Sequence, residues 1–458
     1  MPLWIPLRRR RVLHYASLVR NLALLRRLTA RRLTALFCLC SAAALPQRTE
    51  QQNDLALLKT FSADMARLAP QTVQPATAHI SRDYLTPAGY YKDSLWDWDS
   101  YFIGAHWAAQ NPADAKYLKW WELNFTSLVD ADGFVAGCYT HEKPCPETKP
   151  VLGTFAVKPF LAQGAYLASE RLRDYTWIAP VWPALERVAA YRDRMHFDPK
   201  WGLYFWESAM QSGADDNVAL TNDPKDRYAI LAVDASVYVL REEFAMAAIA
   251  EQLRHHEAAQ RYYERAEALK SAILKNLWSS EDAMFWNRRR DTGAWIRRLS
   301  WSNFVPLAQG LLPQPQGQRM IREHLLNPRE MRAPHGFRSL AGSDPDFNNK
   351  PTIDPYSNWQ GPVWINANYL DWMALRHYGF RQEARWTAVT LTQILDRDIA
   401  ANGSMHEDYD GDTGLGLAPT IADSPGGNFA GFVGWNMLAL DMLQCELEQQ
   451  NCDLLEVP

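Results

Sequence analysis

Residues 233–253 read VDASVYVLREEFAMAAIAEQL, a run in which apolar side chains recur three and four positions apart. This spacing predicts a helix with a buried face, and the following run, Glu257–Trp278, has the same spacing. Together the two runs predict a helical hairpin. Asp234 falls in the first turn of the first helix, where a carboxylate more often interacts with the helix dipole than catalyses a reaction.

Helical spacing recurs along the rest of the chain. The twelve predicted segments are Leu55–Leu68, Tyr101–Ala109, Ala115–Val129, Phe160–Arg173, Pro180–Met195, Val233–Leu253, Glu257–Trp278, Phe304–Leu311, Gln318–Leu326, Val363–Tyr378, Arg381–Arg397 and Phe432–Leu447. Twelve helices suggest six hairpins, and because no exact repeat or linker divides them, we expect a single all-α domain. Long loops between helices, such as Leu203–Tyr228 and Ala341–Gly361, are the expected carriers of function.

The N-terminal residues have the pattern of an export signal. Residues 1–32 carry nine Arg and no acid, and the short apolar run Leu33–Ala44 ends in Ala-x-Ala. We therefore expect residues 1–44 to be a basic segment with an export signal, residues 45–458 to be the functional domain, and the protein to be periplasmic or secreted. The apolar run is too short for a stable membrane span. Removing residues 1–44 moves the formal net charge from −4 to about −13, which argues against a nucleic acid partner.

Four cysteines remain after the predicted signal, in two pairs with equal spacing. Cys138 and Cys145 flank a Pro-containing loop, and Cys445 and Cys452 are also seven positions apart. In an oxidising compartment each pair could close a small loop by a disulfide, although four free buried thiols are the alternative. His141 is the only His near any of these cysteines, so we expect no metal site.

Aromatic residues are unusually frequent, with nineteen Trp in 458 residues. An aromatic share of 12% suggests a surface that stacks flat ligands such as sugars, with a buried aromatic core as the alternative. Two loops combine aromatic and polar residues. The first, residues 90–102, reads YYKDSLWDWDSYF, and the second, residues 354–369, reads DPYSNWQGPVWINANY. We expect both loops to contribute a sugar-binding wall, although Asp99 could instead cap the helix that follows it.

Acidic residues cluster in the loop 206–217, which reads WESAMQSGADDN. It contains Glu207, Asp215 and Asp216, and a further acid, Glu407, lies far downstream in the sequence MHEDYD of residues 405–410. Hydrolysis of a glycosidic bond requires a pair of carboxyl groups, and aromatic rings bind the C–H faces of sugars. The polar neighbours of Glu407 are expected to keep it ionised, so that it can activate water.

Five motifs in order resemble those of glycoside hydrolase family 63 and its trehalase relatives: WDWDSYF at 96–102, SGADD at 212–216, NWQGPVW at 358–364, HEDYD at 406–410 and GW at 434–435. The likeness covers roughly residues 80–440. It implies an (α/α)6 barrel, a six-hairpin toroid, and an inverting exo-acting α-glycosidase that needs no cofactor. It also implies Asp215 as general acid and Glu407 as general base. The acid must keep its proton near neutral pH, with Trp206 as its candidate apolar neighbour, whereas the base must not.

Some positions depart from the family pattern or leave a choice. Gln360 stands where the family usually has Arg, Asp216 directly follows Asp215 and could itself be the acid, and Glu207 is a further candidate. The expected substrate contacts are Tyr91, Trp96, Trp98, Asp99, Trp206, Glu207, Asp216, Trp359, Gln360, Gly361, Trp364, His406 and Trp435.

The resemblance also bears on the substrate. The compact size is more similar to the mannosylglycerate and glucosylglycerate hydrolase branch, so a small α-glucoside or α-mannoside is expected, such as either of these glycerates or an α-glucosyl disaccharide. Trehalase is the alternative within the clan. Outside it, the alternatives are a helical-toroid epimerase, a lyase or an exported sugar-binding scaffold. The sequence leaves the oligomeric state open.

Overall fold

The computed structural model describes residues 50–145, 155–351, 357–418 and 429–458. The predicted export signal, residues 1–44, lies outside these ranges, as do Asp354, Pro355 and Tyr356 of the second aromatic loop. The main compact unit is Leu57–Pro458, and of the smaller unit, Met1–Ala56, only residues 50–56 are described, as helix. Among the described helices, none is both long and apolar enough to cross a membrane.

The predicted helical segments are confirmed. A first helix ends at residue 68. The longer helices after it are Trp98–Gln110, Ala115–Ser127, Leu161–Leu172, Trp182–His196, Val233–Gln252, His256–Asn276, Ile365–His377, Arg381–Asn402 and Leu438–Glu448. Shorter α-helices are Ala209–Ser212, Val305–Ala308 and Gln314–Met320, the last continued by a π-helical turn, Ile321–Leu325. The 3-10 turns are Ala69–Thr72, Gly89–Asp93, Pro112–Asp114, Thr176–Ile178, Pro224–Asp226, Trp301–Phe304 and Gly434–Met437.

Six of these helices form a closed inner ring. Each packs against the next, and the last packs against the first, in the order Trp98–Gln110, Leu161–Leu172, Val233–Gln252, Val305–Ala308, Ile365–His377 and Leu438–Glu448. Helices outside this ring connect its members along the chain: for example, Ala115–Ser127 packs on the first two and Arg381–Asn402 on the last two. This arrangement is the predicted (α/α)6 barrel.

Burial explains which helices take the inner positions. Of the twenty residues in Val233–Gln252, sixteen are buried, whereas His256–Asn276 buries five of twenty-one. A helix that is buried nearly all round belongs inside, and an amphipathic helix belongs outside. Because inner and outer helices alternate, the inner ones run in the same direction, and the loops that precede them gather at one end of the barrel.

Short antiparallel strands, which the helical pattern did not predict, join the loops. The two-stranded pairs are Val73–Gln74 with Tyr84–Leu85, Ser94–Trp96 with Cys138–Thr140, Phe197–Asp198 with Leu203–Tyr204, Trp278–Ser279 with Met284–Phe285, and Arg332–Ala333 with Gly336–Phe337. One sheet has three strands, in the order Trp295–Ile296, Asn287–Arg289 and Ile230–Leu231. Strands of two or three residues are too short to show an alternating pattern in sequence.

Both predicted disulfides are present, Cys138–Cys145 and Cys445–Cys452. The first lies beside the strand pair in which Cys138 is opposite Trp96, so it borders the first aromatic loop. The second joins the last helix to the C-terminal segment, where Leu454 and Leu455 are buried.

Candidate active site

Tryptophans from the starts of the inner helices meet at one end of the barrel. The Trp98 ring lies 6.0 Å from Trp301, 5.7 Å from Trp359 and 5.7 Å from Trp435, measured between ring centroids. Trp359 in turn stacks on Trp364 at 4.0 Å. All five are less than 5% exposed, so they form a packed aromatic floor rather than an open platform.

The acidic loop rests on this floor through Gly213. Its φ of +90° is a left-handed conformation that favours glycine, and an added Cβ would lie 2.1 Å from Cε3 of Trp98. Gly213 ends the short helix Ala209–Ser212, whose first turn is capped by the hydroxyl of Ser208. The close approach of backbone to indole therefore fixes the start of the segment that carries the next two acids, Asp215 and Asp216.

Asp215 and Asp216 are held by the second aromatic loop. The hydroxyl of Ser357 donates to Oδ2 of Asp215 at 2.8 Å, and the backbone N–H of Trp359 donates to Oδ1 of Asp216 at 2.7 Å. Burial raises the pKa of Asp215 to about 6, against the opposing effects of Ser357 and Lys158. Burial also raises the pKa of Asp216 to about 7, and the charge of Asp215 adds to this shift.

Glu407 lies in the same group of carboxyls. The hydroxyl of Tyr91 donates to its Oε2 at 3.3 Å. Burial raises the pKa of Glu407 well above its usual value, and the charges of Asp408, Asp99 and Asp215 raise it further. Burial and these carboxyls thus oppose ionisation of Glu407, whereas the sequence led us to expect that its polar neighbours would favour it.

Asp99 is the third carboxyl of this cluster, and Asp97, not Asp99, caps the helix. Oδ1 of Asp97 accepts from the N–H of Trp98 at 2.6 Å, so Asp97 caps the helix and pairs with Lys158, whose Nζ is 3.0 Å away. Burial raises the pKa of Asp99 to about 7; Lys158 lowers it, and Asp97 and Asp215 raise it. The structure thus brings together Asp99, from the first turn of a helix, and Asp215 and Glu407, from two separate loops.

Several buried polar atoms around these carboxyls have no hydrogen-bond partner within the described protein. They are the indole nitrogens of Trp96, Trp98, Trp301 and Trp435 and the Oδ2 of Asp216. Buried polar groups normally find a partner, so unpartnered donors and acceptors beside carboxyls suit a ligand rich in hydroxyl groups. Among the described residues, no three of His, Cys, Asp and Glu are grouped so as to hold a metal ion.

Two residues of the site were not singled out as site residues from the sequence: Trp301 belongs to the floor, and Ser357 binds Asp215. Lys158, at the start of a segment that the sequence predicted to point towards the same face, pairs with Asp97. The available signal for Trp301 was its position at the start of an inner helix, which it shares with Trp98 and Trp435.

Two expected contacts are engaged elsewhere. The indole N–H of Trp206 donates to Asp234 at 3.0 Å, and Glu207 forms an ion pair with Arg227. Both line a small cavity together with Leu220. Trp206 and Glu207 therefore have their contacts away from the three carboxyls of Asp99, Asp215 and Glu407. Burial is the main cause of the raised pKa of Asp215.

The remaining expected contacts support the loops. The amide of Gln360 donates to the backbone oxygen of Asp216 at 3.2 Å. At Gly361 an added Cβ would lie 2.1 Å from the backbone oxygen of Asn348, so this glycine makes room for another loop of the protein and not, as expected, for a ligand. The ring of His406 contacts Asp398 through Nδ1 at 2.8 Å, which orients the residue next to Glu407.

Comparison with known proteins gives the family. The sequence model of the mannosylglycerate hydrolase MGH1-like glycoside hydrolase domain matches residues 91–429. The mannosylglycerate hydrolase of Rubrobacter radiotolerans is 25% identical over 180 residues, covering 38% of this chain and 37% of that protein. The mannosyl-oligosaccharide glucosidase of Arabidopsis thaliana is 24% identical over 155 residues, covering 32% and 17%. The matched segments thus span less than two fifths of the length of these curated relatives.

Solved structures share the fold. The GH63 mannosylglycerate hydrolase from Thermus thermophilus, in complex with Tris and D-glycerate, has a TM-score of 0.63 and 20% identity, covering 84% of this chain and 99% of that one. The neutral trehalase Nth1 from Saccharomyces cerevisiae has a TM-score of 0.59 and 16% identity, covering 80% and 73%. Because the family model spans most of the sequence, the chain belongs to the mannosylglycerate hydrolase MGH1-like group of family 63 and is a glycoside hydrolase.

Proposed function

We propose that the protein is an inverting, exo-acting α-glycosidase that hydrolyses a small α-glucoside or α-mannoside. The proposed reaction takes place at the three carboxyls of Asp99, Asp215 and Glu407. The observation that carries this proposal is the meeting of these three acids from separate parts of the chain, together with buried indole N–H groups that lack partners within the described protein. Trehalose remains a candidate substrate, because the fold is also that of a trehalase.

In the proposed reaction Asp215 is the general acid. It protonates the glycosidic oxygen while a water molecule attacks the anomeric carbon from the opposite face. A pKa of about 6 lets a fraction of Asp215 hold its proton near neutral pH. Ser357 fixes the carboxyl through Oδ2, which leaves Oδ1 for the substrate. We prefer Asp215 to Asp216 because Asp216 is already bound by a backbone N–H of the floor.

Glu407 is the proposed general base, which accepts the proton of the attacking water. In the free protein the charge of Asp215 helps to raise the pKa of Glu407, so the two carboxyls compete for protons. When Asp215 holds the proton, its part of the repulsion disappears; burial, Asp408 and Asp99 still raise the pKa of Glu407, and the hydroxyl of Tyr91 opposes them by stabilising the ionised form. The reactive form of the pair is therefore protonated Asp215 with ionised Glu407.

The ligands of a structural relative support a substrate of this size. Crystals of the Thermus thermophilus mannosylglycerate hydrolase contain glucose in one case, and Tris with D-glycerate in another. In this chain, Asp99 and the unpartnered indole N–H groups of Trp96 and Trp98 are the proposed contacts to the hydroxyls of a hexose. His406 and Gln360, which were expected from the sequence to be substrate contacts, have the proposed role of orienting neighbouring acids.

We also propose that the protein is exported and works in the periplasm or outside the cell. The basic and apolar residues 1–44 support this proposal, and the two disulfides are compatible with it because such bonds persist in oxidising compartments.

The anomer released by the enzyme tests the stereochemistry. Proton NMR should be recorded during hydrolysis of trehalose, glucosylglycerate, mannosylglycerate and short α-glucosides. An inverting enzyme first releases the β-anomer from one of these α-linked substrates. A first-formed α-anomer would contradict the inverting mechanism. No hydrolysis of any of these substrates would favour an epimerase, a lyase or a binding protein.

Two variants distinguish the acid from the base. Asp215→Asn should lower kcat/KM on alkyl glycosides by roughly 10²–10⁴-fold but far less on α-glycosyl fluorides, whose leaving group needs little protonation. Glu407→Ala should be slow on both, and azide should restore turnover by forming a β-glycosyl azide. The opposite pattern would exchange the two roles, and full activity in either variant would refute its assignment.

A further inference from the structure

The leaving-group side of the site has a distinctive charge. If Asp215 is the acid, the leaving group lies next to it, and Asp216 is close enough for the charge of Asp215 to raise its pKa. Oδ1 of Asp216 is bound by the N–H of Trp359, while its Oδ2 is buried and without a partner in the described protein. An unpartnered carboxylate oxygen accepts a hydrogen bond from a hydroxyl but repels another carboxylate.

The groups that support these two acids are neutral. The hydroxyl of Ser357 binds Asp215, the amide of Asn222 donates to the backbone oxygen of Asp215 at 2.6 Å, and the amide of Gln360 donates to that of Asp216. None of these three side chains can neutralise the carboxylate of a ligand. An anionic leaving group bound here would lie near the two acids Asp215 and Asp216, and its other neighbours would be uncharged hydroxyl and amide groups.

The cation that acts on this part of the described protein is already paired. Lys158 lies 3.0 Å from Asp97, and both side chains are largely buried. Its charge reaches Asp99 and Asp215, and the site holds three further acids, Asp216, Glu407 and Asp408, so the carboxyls outnumber the charge of Lys158.

We propose that the enzyme selects an uncharged alcohol as leaving group, such as glycerol or another polyol, with Oδ2 of Asp216 accepting one of its hydroxyls, and discriminates against carboxylate-bearing alcohols such as glycerate. This inference rests on the proposed function. It predicts a substrate preference opposite to the one that the name of the mannosylglycerate hydrolases implies.

Two pairs of substrates test the preference because each pair differs in one group. α-Glucosylglycerol and α-glucosylglycerate, and their α-mannosyl counterparts, exchange CH₂OH for a carboxylate at the same position. At pH 7.5 and about 0.01 M NaCl, kcat/KM should be higher for the glycerol compound by roughly tenfold or more. At about 1 M NaCl the ratio should fall, because salt screens the repulsion.

A charge-removing variant assigns the preference to Asp216. Asp216→Asn keeps the shape of the side chain and should narrow the glycerol-to-glycerate ratio severalfold. The control Asp223→Asn removes an equal charge from an exposed position in the same loop and should leave the ratio unchanged. An unchanged ratio in Asp216→Asn, together with no effect of salt, would overturn the proposal.

Other outcomes separate this inference from the proposed function. Activity on α-glycosyl fluorides needs no leaving-group contact, so its absence would mean that the proposed function itself has failed. An enzyme that is active on fluorides but cleaves the glycerate compound as well as or better than the glycerol compound would refute the neutral-alcohol preference. If that activity on glycerate were lost in Lys92→Gln or Lys350→Gln, an exposed lysine would be the group that recruits the carboxylate.

Discussion

Ser357 is hydrogen-bonded to the carboxyl of Asp215 and, with Lys158, opposes the rise of its pKa. The hydroxyl of Ser357 donates to it at 2.8 Å and lowers its pKa against the larger effect of burial. In Ser357→Ala the pKa of Asp215 should therefore rise above about 6. An acid that keeps its proton to higher pH extends activity upward, so the alkaline limb of kcat/KM should move to higher pH. Ser357→Thr, which keeps the hydroxyl, is the control, and an unmoved limb in the Ala variant would assign that limb to another group.

Gly213 makes a second prediction for a single residue. Gly213→Ala places a Cβ against the ring of Trp98 in a left-handed conformation, which should lower the free energy of unfolding by roughly 2–5 kcal/mol and displace Asp215. Gly403→Ala is a matched control: its φ is +79°, but an added Cβ meets nothing within 4 Å, so only the backbone cost of about 1 kcal/mol applies. Denaturant unfolding of both variants measures the difference. Equal losses would mean that contact with the indole carries no cost.

Individual acids could be found from the sequence, whereas their surroundings could not. Asp99, Asp215 and Glu407 stood out because acids in loops rich in aromatic residues are unusual. The pKa of Glu407 was misjudged because burial is the largest cause of its rise, and because Asp99 and Asp215, which add to the effect of Asp408, come from segments far away in the chain. Trp206 was misplaced for a related reason, since its partner Asp234 lies in the first turn of the next inner helix.

At the level of elements, helices were predictable and strands were not. Helical spacing runs over ten or more residues in segments such as Val233–Gln252, so it leaves a clear pattern. A strand such as Leu203–Tyr204 has only two residues, and its existence depends on a partner strand. The inner position of a helix could be anticipated in principle from the absence of a polar face.

The two disulfides close loops of equal length on different elements, so they allow a matched comparison. Cys445–Cys452 fastens the C-terminal segment, whose Leu455 oxygen accepts from Arg241. Replacing both cysteines by Ser should lower the free energy of unfolding by roughly 2–3 kcal/mol and leave kcat and KM unchanged.

Cys138–Cys145 lies beside the strand pair that contains Trp96. Its double Ser variant should also lose stability, but in addition it should raise KM, because Trp96 and the adjoining Tyr91 lose a fixed support. Thermal unfolding and steady-state kinetics of both double variants provide the comparison. A higher KM in the C-terminal variant, or an unchanged KM in the other, would contradict the assignment.

For the whole molecule, the decisive feature is closure of the inner ring. The last inner helix, Leu438–Glu448, packs against the first, Trp98–Gln110, and no local pattern in the sequence predicts this contact. Its polar centre is the pair His106 and Asp441, with Nδ1 and Oδ2 2.7 Å apart, and Gln110 donates to the other oxygen of Asp441 at 2.8 Å. The pair is almost fully buried.

Breaking this pair should test how strongly the barrel depends on closure. His106→Leu leaves the buried carboxyl of Asp441 with Gln110 alone, and the free energy of unfolding should fall by roughly 3–5 kcal/mol. The double variant His106→Leu/Asp441→Leu should lose less than the single one, because it removes the charge together with its partner. Both are measured by denaturant unfolding followed by tryptophan fluorescence. If the double variant were the less stable of the two, the pair would owe its effect to packing, and closure of the ring would depend on shape rather than on the buried polar contact.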